Sequence, residues 1–257
     1  MCGKKMSKVI LITGANSFLF KGISENFLNE RKNDKIIITS KKKVNINLKD
    51  KKNCFFQILD VKNEKSIIST LKNIKKKYNR LDGVVNFAYT GKSGDISKLN
   101  KNDFYTATDF NLIAPFNLAK NIAKIFSKQK GYYISIINIA SIYGIISPDF
   151  KIYKKNKNFI NPIHYGATKA GLIHMTKYLA KIYADLNIRI NCVSPGAFPN
   201  QRILKNNPFF KKKLTEKISL KRLGKPKDLL GIFNFLLSSD SNYITGANYT
   251  VDGGFTL

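Results

Sequence analysis

Apolar residues along this chain switch repeatedly between two spacings. Val9-Ile10-Leu11-Ile12 is a continuous apolar run, as a strand buried on both faces requires, and Thr13-Gly14 reads as its exit turn into a helix. Ile36-Ile37-Ile38-Thr39 is a short β-branched run, and residues 54–59 form another that ends at Asp60. In 62–78, Ile67, Ile68, Leu71 and Ile74 recur at helical spacing with lysines on the opposite face. A fourth strand is predicted over 81–88, a long helix over about 102–127, and a fifth strand over 132–141. A helix over about 162–185, a sixth strand over 188–196 and a seventh over 248–251 complete the series. Strands separated by helices of this length imply right-handed crossovers, hence an α/β fold with a doubly wound parallel sheet of about seven strands flanked by helices. Ligands of such a sheet lie beyond the carboxyl ends of its strands. Residues 144–161 and 198–219, which contain Pro148, Pro199 and Pro208, break the rhythm. The first reads as a loop beside the active edge and the second as a mobile flap, and substrate choice is expected there.

A length of 257 residues suits one such domain, and nothing in the composition marks a linker. The net charge of +29 raises a nucleic-acid or membrane partner. The lysines are spread along the chain, however, with runs at 41–43, 75–77 and 211–213 and no aromatic-interleaved basic motif, which reads as a solvated surface rather than a specific nucleic-acid site. Nonspecific binding of nucleic acid through those lysines would show a steep salt dependence. No apolar run approaches the roughly 20 residues of a membrane span, and the opening MCGKKMSK lacks a signal-peptide core, so a cytoplasmic location is expected. Cys2, Cys54 and Cys192 form no CxxC pair and read as reduced thiols; the scattered carboxylates suggest no metal site. His164 and His174 read as structural or surface residues.

The stretch HYGATKAG carries the chemistry. Tyr165 and Lys169 lie one helical turn apart and share a face. An ammonium close to a phenol lowers the phenol pKa from its ordinary value of about 10, which makes Tyr165 a general acid or base. Ser141 ends the fifth strand at the same edge, and Asn111 sits inside a helix, where asparagine is unfavourable unless its side chain has a task.

These residues resemble the short-chain dehydrogenases/reductases over nearly the whole chain. The matching stretches are TGA after the first strand, LDV at Leu59-Asp60-Val61, NFA where the family has NNA, Asn111, Ser141, the YxxxK pair, NCVSPG, RLGKPKDL and ITGANYTVDGG. The resemblance implies a single Rossmann-like domain over 1–257 that binds NADP or NAD. It implies that Tyr165 exchanges a proton with a carbonyl or alcohol while Lys169 bonds the nicotinamide ribose. Ser141 would hold the substrate oxygen and Asn111 anchor a water relay to Lys169. Thr13, Gly14, Ser17, Leu19, Pro195 and Gly196 would border the cofactor, Asp60 and Val61 would meet the adenine, and Asn86 and Ala88 would line the central crevice. Where NAD would call for a carboxylate after the second strand, Ser40 and Lys41 stand instead, which favours the 2'-phosphate of NADP. The gap of 24 positions between Ser141 and Tyr165, with SPDFKIY and the earlier AYTGK, is similar to a subgroup of bacterial surface-sugar and flagellin-modification enzymes. That implies a hydroxylated, anionic or nucleotide-linked sugar capped by 144–161. The family further implies a homodimer or homotetramer packed through the helices that follow strands four and five, with the C-terminal segment near another interface.

One stretch breaks the family pattern. After Gly14, the phosphate loop normally has two more glycines, and this chain has Ser17 or Phe18, by alignment, and Phe20. The Ser17 hydroxyl can bond a phosphate oxygen. The Phe20 ring must either turn into the core or take space meant for the dinucleotide, and Gly22 offers a shifted loop as another way out. Two functions follow: an active oxidoreductase with an altered loop, or a cofactor-poor member kept as a binding or structural subunit.

Overall fold

The computed structural model describes residues 7–44, 46, 51–91, 93, 95–127, 133–154, 160–200, 204–205 and 207–257. Its strands are β1 (Val9–Thr13), β2 (Lys35–Ser40), β3 (Cys54–Ile58), β4 (Gly83–Asn86), β5 (Ile134–Ile139), β6 (Ile188–Pro195) and β7 (Asn248–Val251). They form one seven-stranded sheet in the order β3-β2-β1-β4-β5-β6-β7, with every neighbouring pair parallel. The order reverses between β1 and β4, so a crevice opens where the chain leaves those two strands on opposite sides.

Alternation along each strand divides the core between the two faces of the sheet. Val9 and Leu11 face one way with Val84, Ile136 and Ile190, under α2 (Glu64–Tyr78), α4 (Ala114–Phe126) and α5 (Ile163–Ile182). Ile10 and Ile12 face the other way with Val85, Ile137 and Val193, under α1 (Phe18–Glu30) and a late helix, Leu230–Leu236.

The helix expected over 102–127 is divided. An α-helix, α3 (Lys101–Thr108), passes through a widened π turn at Asp109–Ile113 into α4. Pro115 explains the break, since it has no N–H to give the carbonyl four residues back, that of Asn111, and its ring would crowd that carbonyl in a regular helix.

The segment 198–219 is not simply a flap. It contains the helix α6 (Pro208–Glu216), and the helix Leu230–Leu236 is therefore α7. Leu214 and Ile218 bury themselves with Ile142, Ile152, Tyr153 and Phe255 in a third apolar cluster, and Lys217 pairs with Asp149 at 2.6 Å. Residues 144–161 and 198–219 are thus packed against one another, the former through a short 3-10 turn at Phe150–Tyr153. Residues 155–159 and 201–203 of these two segments, like Tyr132 at the expected start of the fifth strand and Cys2, lie outside the described residues. Cys54 and Cys192 are free thiols, and among the described residues no cluster of His, Cys, Asp and Glu could hold a metal ion. No helix among them is long and apolar enough to cross a membrane.

Candidate active site

A cleft of about 420 Å³ opens at the carboxyl ends of β1, β2 and β4. Its floor begins at Gly14, held at φ 67°, where any side chain would be strained and a Cβ would sit 2.2 Å from the Ala88 nitrogen. The first turn of α1 closes one wall. Ser17 caps the helix by accepting from the Phe20 N–H at 3.2 Å, so its hydroxyl is engaged in the cap. The free N–H groups of a first helical turn are a ready site for a phosphate.

The Phe20 ring is fully buried in the core, 5.4 Å from the Phe87 ring and 6.3 Å from that of Phe27. It does not enter the cleft. Phe18 does line it, whereas Leu19 packs toward the core beneath α1. Of the two departures from a glycine-rich loop, the bulkier concern is therefore removed by the direction in which α1 presents position 20.

The side of the cleft next to β2 is built from charge. Lys41 pairs with Asp60 at 2.8 Å, and that hydrogen bond is the main reason the Asp60 carboxyl lies below its ordinary range. The Lys41 side chain is 66% exposed, so the pair is cheap to separate. Asn16 pins the turn after β2 by donating to Ser40 Oγ at 3.1 Å and to the Lys42 carbonyl at 3.2 Å. Sequence reasoning did not single out Asn16, Lys42 or Phe110; the first two carry a signal only in hindsight, as polar residues that close one turn. Val61 and Ala88 border the cleft, with Val61 also in the core.

Asn86 and Thr13 are placed differently. Both are buried, and they begin a polar ladder that crosses the sheet: Thr13 Oγ1 donates to Asn86 Oδ1 (3.2 Å), Asn86 Nδ2 to Asn138 Oδ1 (2.8 Å), and Asn138 Nδ2 to Thr176 Oγ1 (3.0 Å) on α5. Their side chains are thus spent on holding β1, β4, β5 and α5 in register, and they do not line the cleft. Pro195 and Gly196 end β6, where the Gly196 N–H bonds the Val251 carbonyl at 3.0 Å.

Tyr89 also borders the cleft, its ring edge-on to Tyr165 at 6.2 Å and 69°. Tyr89 is a residue that sequence reasoning left without a role. Behind it Ser141, Tyr165 and Lys169 converge. Ser141 lies just past β5 as the cap of a 3-10 turn, Ile142–Gly144, and its hydroxyl hydrogen-bonds the Tyr165 phenol. Gly144 permits this approach, since a Cβ there would lie 2.7 Å from the Lys169 carbonyl carbon on α5.

Lys169 is 2% exposed and donates to the Ile139 carbonyl at 2.6 Å, with its Nζ 5.6 Å from the centre of the Tyr165 ring. Burial pushes its pKa down to about 8. The expected lowering of the Tyr165 pKa by this ammonium is not found. Burial raises the phenol above its ordinary value, the Ser141 hydrogen bond opposes that, and the Tyr89 and Tyr143 phenols add to it. Desolvation by burial is the largest cause of the shift in both groups.

Asn111 is fully buried at the centre of the π turn. Its Oδ1 accepts from the Thr90 N–H (3.1 Å), while Nδ2 donates to the Thr90 carbonyl (3.0 Å) and to Thr168 Oγ1 (2.9 Å). The side chain thus ties the loop after β4 to α5. His164 is buried against the Phe104 ring and His174 meets the Tyr178 ring edge-on.

The description of the family model that matches residues 36–256 reads enoyl-(acyl carrier protein) reductase. The chain belongs to the short-chain dehydrogenase/reductase family. Among curated relatives, the 3-oxoacyl-[acyl-carrier-protein] reductase FabG of Buchnera aphidicola subsp. Schizaphis graminum is 33% identical over 256 residues, covering 97% of this chain and 98% of its own. The post-translational flagellin modification protein A of Campylobacter coli is 32% identical over 204 residues, 77% of each chain. A short-chain dehydrogenase from Leptospira borgpetersenii, solved with bound NAD+, superposes with a TM-score of 0.86 at 31% identity, covering 98% of this chain and 94% of that one. ElxO, solved with NADP bound, superposes at 0.83 with 28% identity over 98% and 99% of the two chains. The residues at hand fit a dinucleotide: a helix N-terminus and two lysines offer charge to phosphates, and the ring that threatened the space is in the core.

Proposed function

We propose that the protein is an oxidoreductase that interconverts a carbonyl and an alcohol with NADP in preference to NAD, and acts in the cytoplasm. The observation that carries the reading is the convergence of Ser141, Tyr165 and Lys169 beside Tyr89, which borders a cleft that Lys41 and Lys42 also line. The nicotinamide, when bound, supplies or accepts the hydride. The chain's own groups do the rest. The Ser141 hydroxyl and the Tyr165 phenol are placed to hold one substrate oxygen between them. Tyr165, kept protonated at neutral pH by its burial, delivers its proton to that oxygen in the reductive direction. Lys169 supports the phenol and holds the ribose, and the Asn111 main-chain carbonyl anchors the proton path. Lys41, released from Asp60, and Lys42 meet the 2'-phosphate, with Gly14, Ser17 and Leu19 of the loop shaping the backbone around the pyrophosphate.

The substrate we assign is a hydroxylated, anionic small molecule of the sugar or nucleotide-sugar type, covered by residues 144–161 and 198–219. Support comes from the mutual packing of the described residues of those segments, from the surplus of lysine, and from the likeness to the flagellin modification protein. The exposed apolar residues of α4 and α5, Phe116, Tyr178 and Ile182 among them, favour a homodimer or homotetramer formed through those helices. The alternative, a cofactor-poor binding subunit, is disfavoured by the burial of Phe20.

The test is calorimetric titration with NADPH and NADH, followed by turnover of a carbonyl panel by wild type and Tyr165→Phe. Saturable binding and a rate that falls by two to four orders of magnitude in the variant are expected. An unchanged rate in Tyr165→Phe, or no binding of either nucleotide, would refute the reading.

A further inference from the structure

Beside the reaction centre lies a second polar group that the proton chemistry does not use. Tyr143 is two residues beyond Ser141, whose Oγ accepts its N–H at 3.1 Å. The Tyr143 hydroxyl lies 3.2 Å from that of Tyr153, which is 4% exposed and is walled in by Phe210 of α6, with ring centres 5.6 Å apart. The Tyr153 oxygen also accepts the Asn161 N–H. These contacts bring the first residues after the catalytic serine, the 3-10 turn at Phe150–Tyr153 and the entry to α5 together at one point.

Counting donors and acceptors shows what the group lacks. Two phenols carry two protons, and the bond between them uses one. Tyr153 already accepts from Asn161, so whichever phenol donates within the pair, one O–H remains to be given away. The Asn161 Oδ1 is buried and has no donor among the described residues. Ile160, next to Asn161, packs in the same apolar cluster as Tyr143 and Tyr153, and a surplus donor and an unmet acceptor on neighbouring residues complement a single chemical group, a hydroxyl, which accepts one bond and gives another.

We infer that Tyr143, Tyr153 and Asn161 form a subsite that reads a hydroxyl group of the substrate, next to the carbon that Ser141 and Tyr165 serve. The inference rests on the oxidoreductase reading and narrows it: the substrate carries an alcohol close to its reacting carbonyl, and one phenolic O–H and the Asn161 side-chain oxygen select for it. Tyr143 and Asn161 are specificity residues and take no part in proton transfer.

The experiment compares matched ketones, acetone with hydroxyacetone and cyclohexanone with its 2-hydroxy derivative, for wild type, Tyr143→Phe and Asn161→Ala. The readout is the ratio of kcat/KM for the hydroxylated and plain ketone within each protein, so intrinsic reactivity cancels between proteins. That ratio is expected to fall about tenfold in each variant, the loss of one neutral hydrogen bond. Tyr143→Phe keeps the ring; Asn161→Ala tests the same subsite from the other side should the first fail to fold. A ratio equal to that of wild type in both variants overturns the inference and leaves the oxidoreductase reading intact. Absence of any rate with either nucleotide overturns both, and is distinguished by the loss of turnover itself.

Discussion

Restoring the glycine that the family has at position 20 should harm this protein. In Phe20→Gly a fully buried ring that touches Phe27 and Phe87 is deleted, on the face of α1 that packs against the sheet. Truncating a buried phenylalanine to alanine costs about 3–5 kcal/mol, and glycine in a helix costs up to about 1 kcal/mol more. A total of about 4–6 kcal/mol lowers the melting temperature of a domain this size by about 10–20 °C. Thermal unfolding followed by far-UV circular dichroism measures it directly, with Phe20→Leu as a milder control. At a temperature where the variant is folded, its affinity for NADPH should be no higher than that of wild type, because the ring does not occupy the cleft. A melting temperature equal to wild type, or a tenfold gain in NADPH affinity, would refute the argument that this ring belongs to the core.

Three other outcomes follow from the geometry. Lys41→Glu removes the exposed partner of Asp60 and should raise the NADPH dissociation constant at least about tenfold while moving that for NADH far less; equal shifts would deny Lys41 a 2'-phosphate. Lys169 has a folded pKa of about 8, below an unfolded value of about 10.4, so between those values the unfolded chain holds more protons and stability should rise with pH. The difference between wild type and Lys169→Met should therefore shift in favour of wild type by about 2–3 kcal/mol from pH 7 to about pH 10, read from denaturant midpoints, and parallel profiles would contradict it. Light scattering should find a dimer or tetramer at micromolar concentration; a monomer would leave Phe116, Tyr178 and Ile182 without a partner.

How much of this was legible depends on the range over which each feature is decided. The strands and their parallel, doubly wound arrangement followed from local apolar runs and crossover handedness, because a strand buried on both faces has few sequences open to it. Tyr165 and Lys169 were legible because one helical turn fixes their shared face. Their protonation was not: it depends on how deeply α5 and the turn at Ile142–Gly144 bury the pair, a property of packing between distant segments. Asn111 was legible as an anomaly, but the bonds its side chain makes were not, since its partners Thr90 and Thr168 come from other elements. The helix α6 escaped notice because its apolar positions serve a small satellite cluster and lysines fill most of its other face.

Phe20 shows where a motif stops being a guide. The third glycine of the loop is usually read as a demand for a small residue, but the physical demand is that nothing project into the dinucleotide's space and that the helix sit close to the sheet. Here position 20 points inward, and the surrounding aromatic residues Phe27, Phe87 and Phe233 supply a pocket for a ring: the Phe87 ring lies 5.4 Å from Phe20 and 5.3 Å from Phe233. Phe87 itself stands where the family has the second asparagine of NNA. The two departures from the family pattern therefore touch one another, and each accounts for the space the other needs. A chain that had lost its ligand would have no reason to change both positions toward a mutually packed pair while the cleft beside them stayed open.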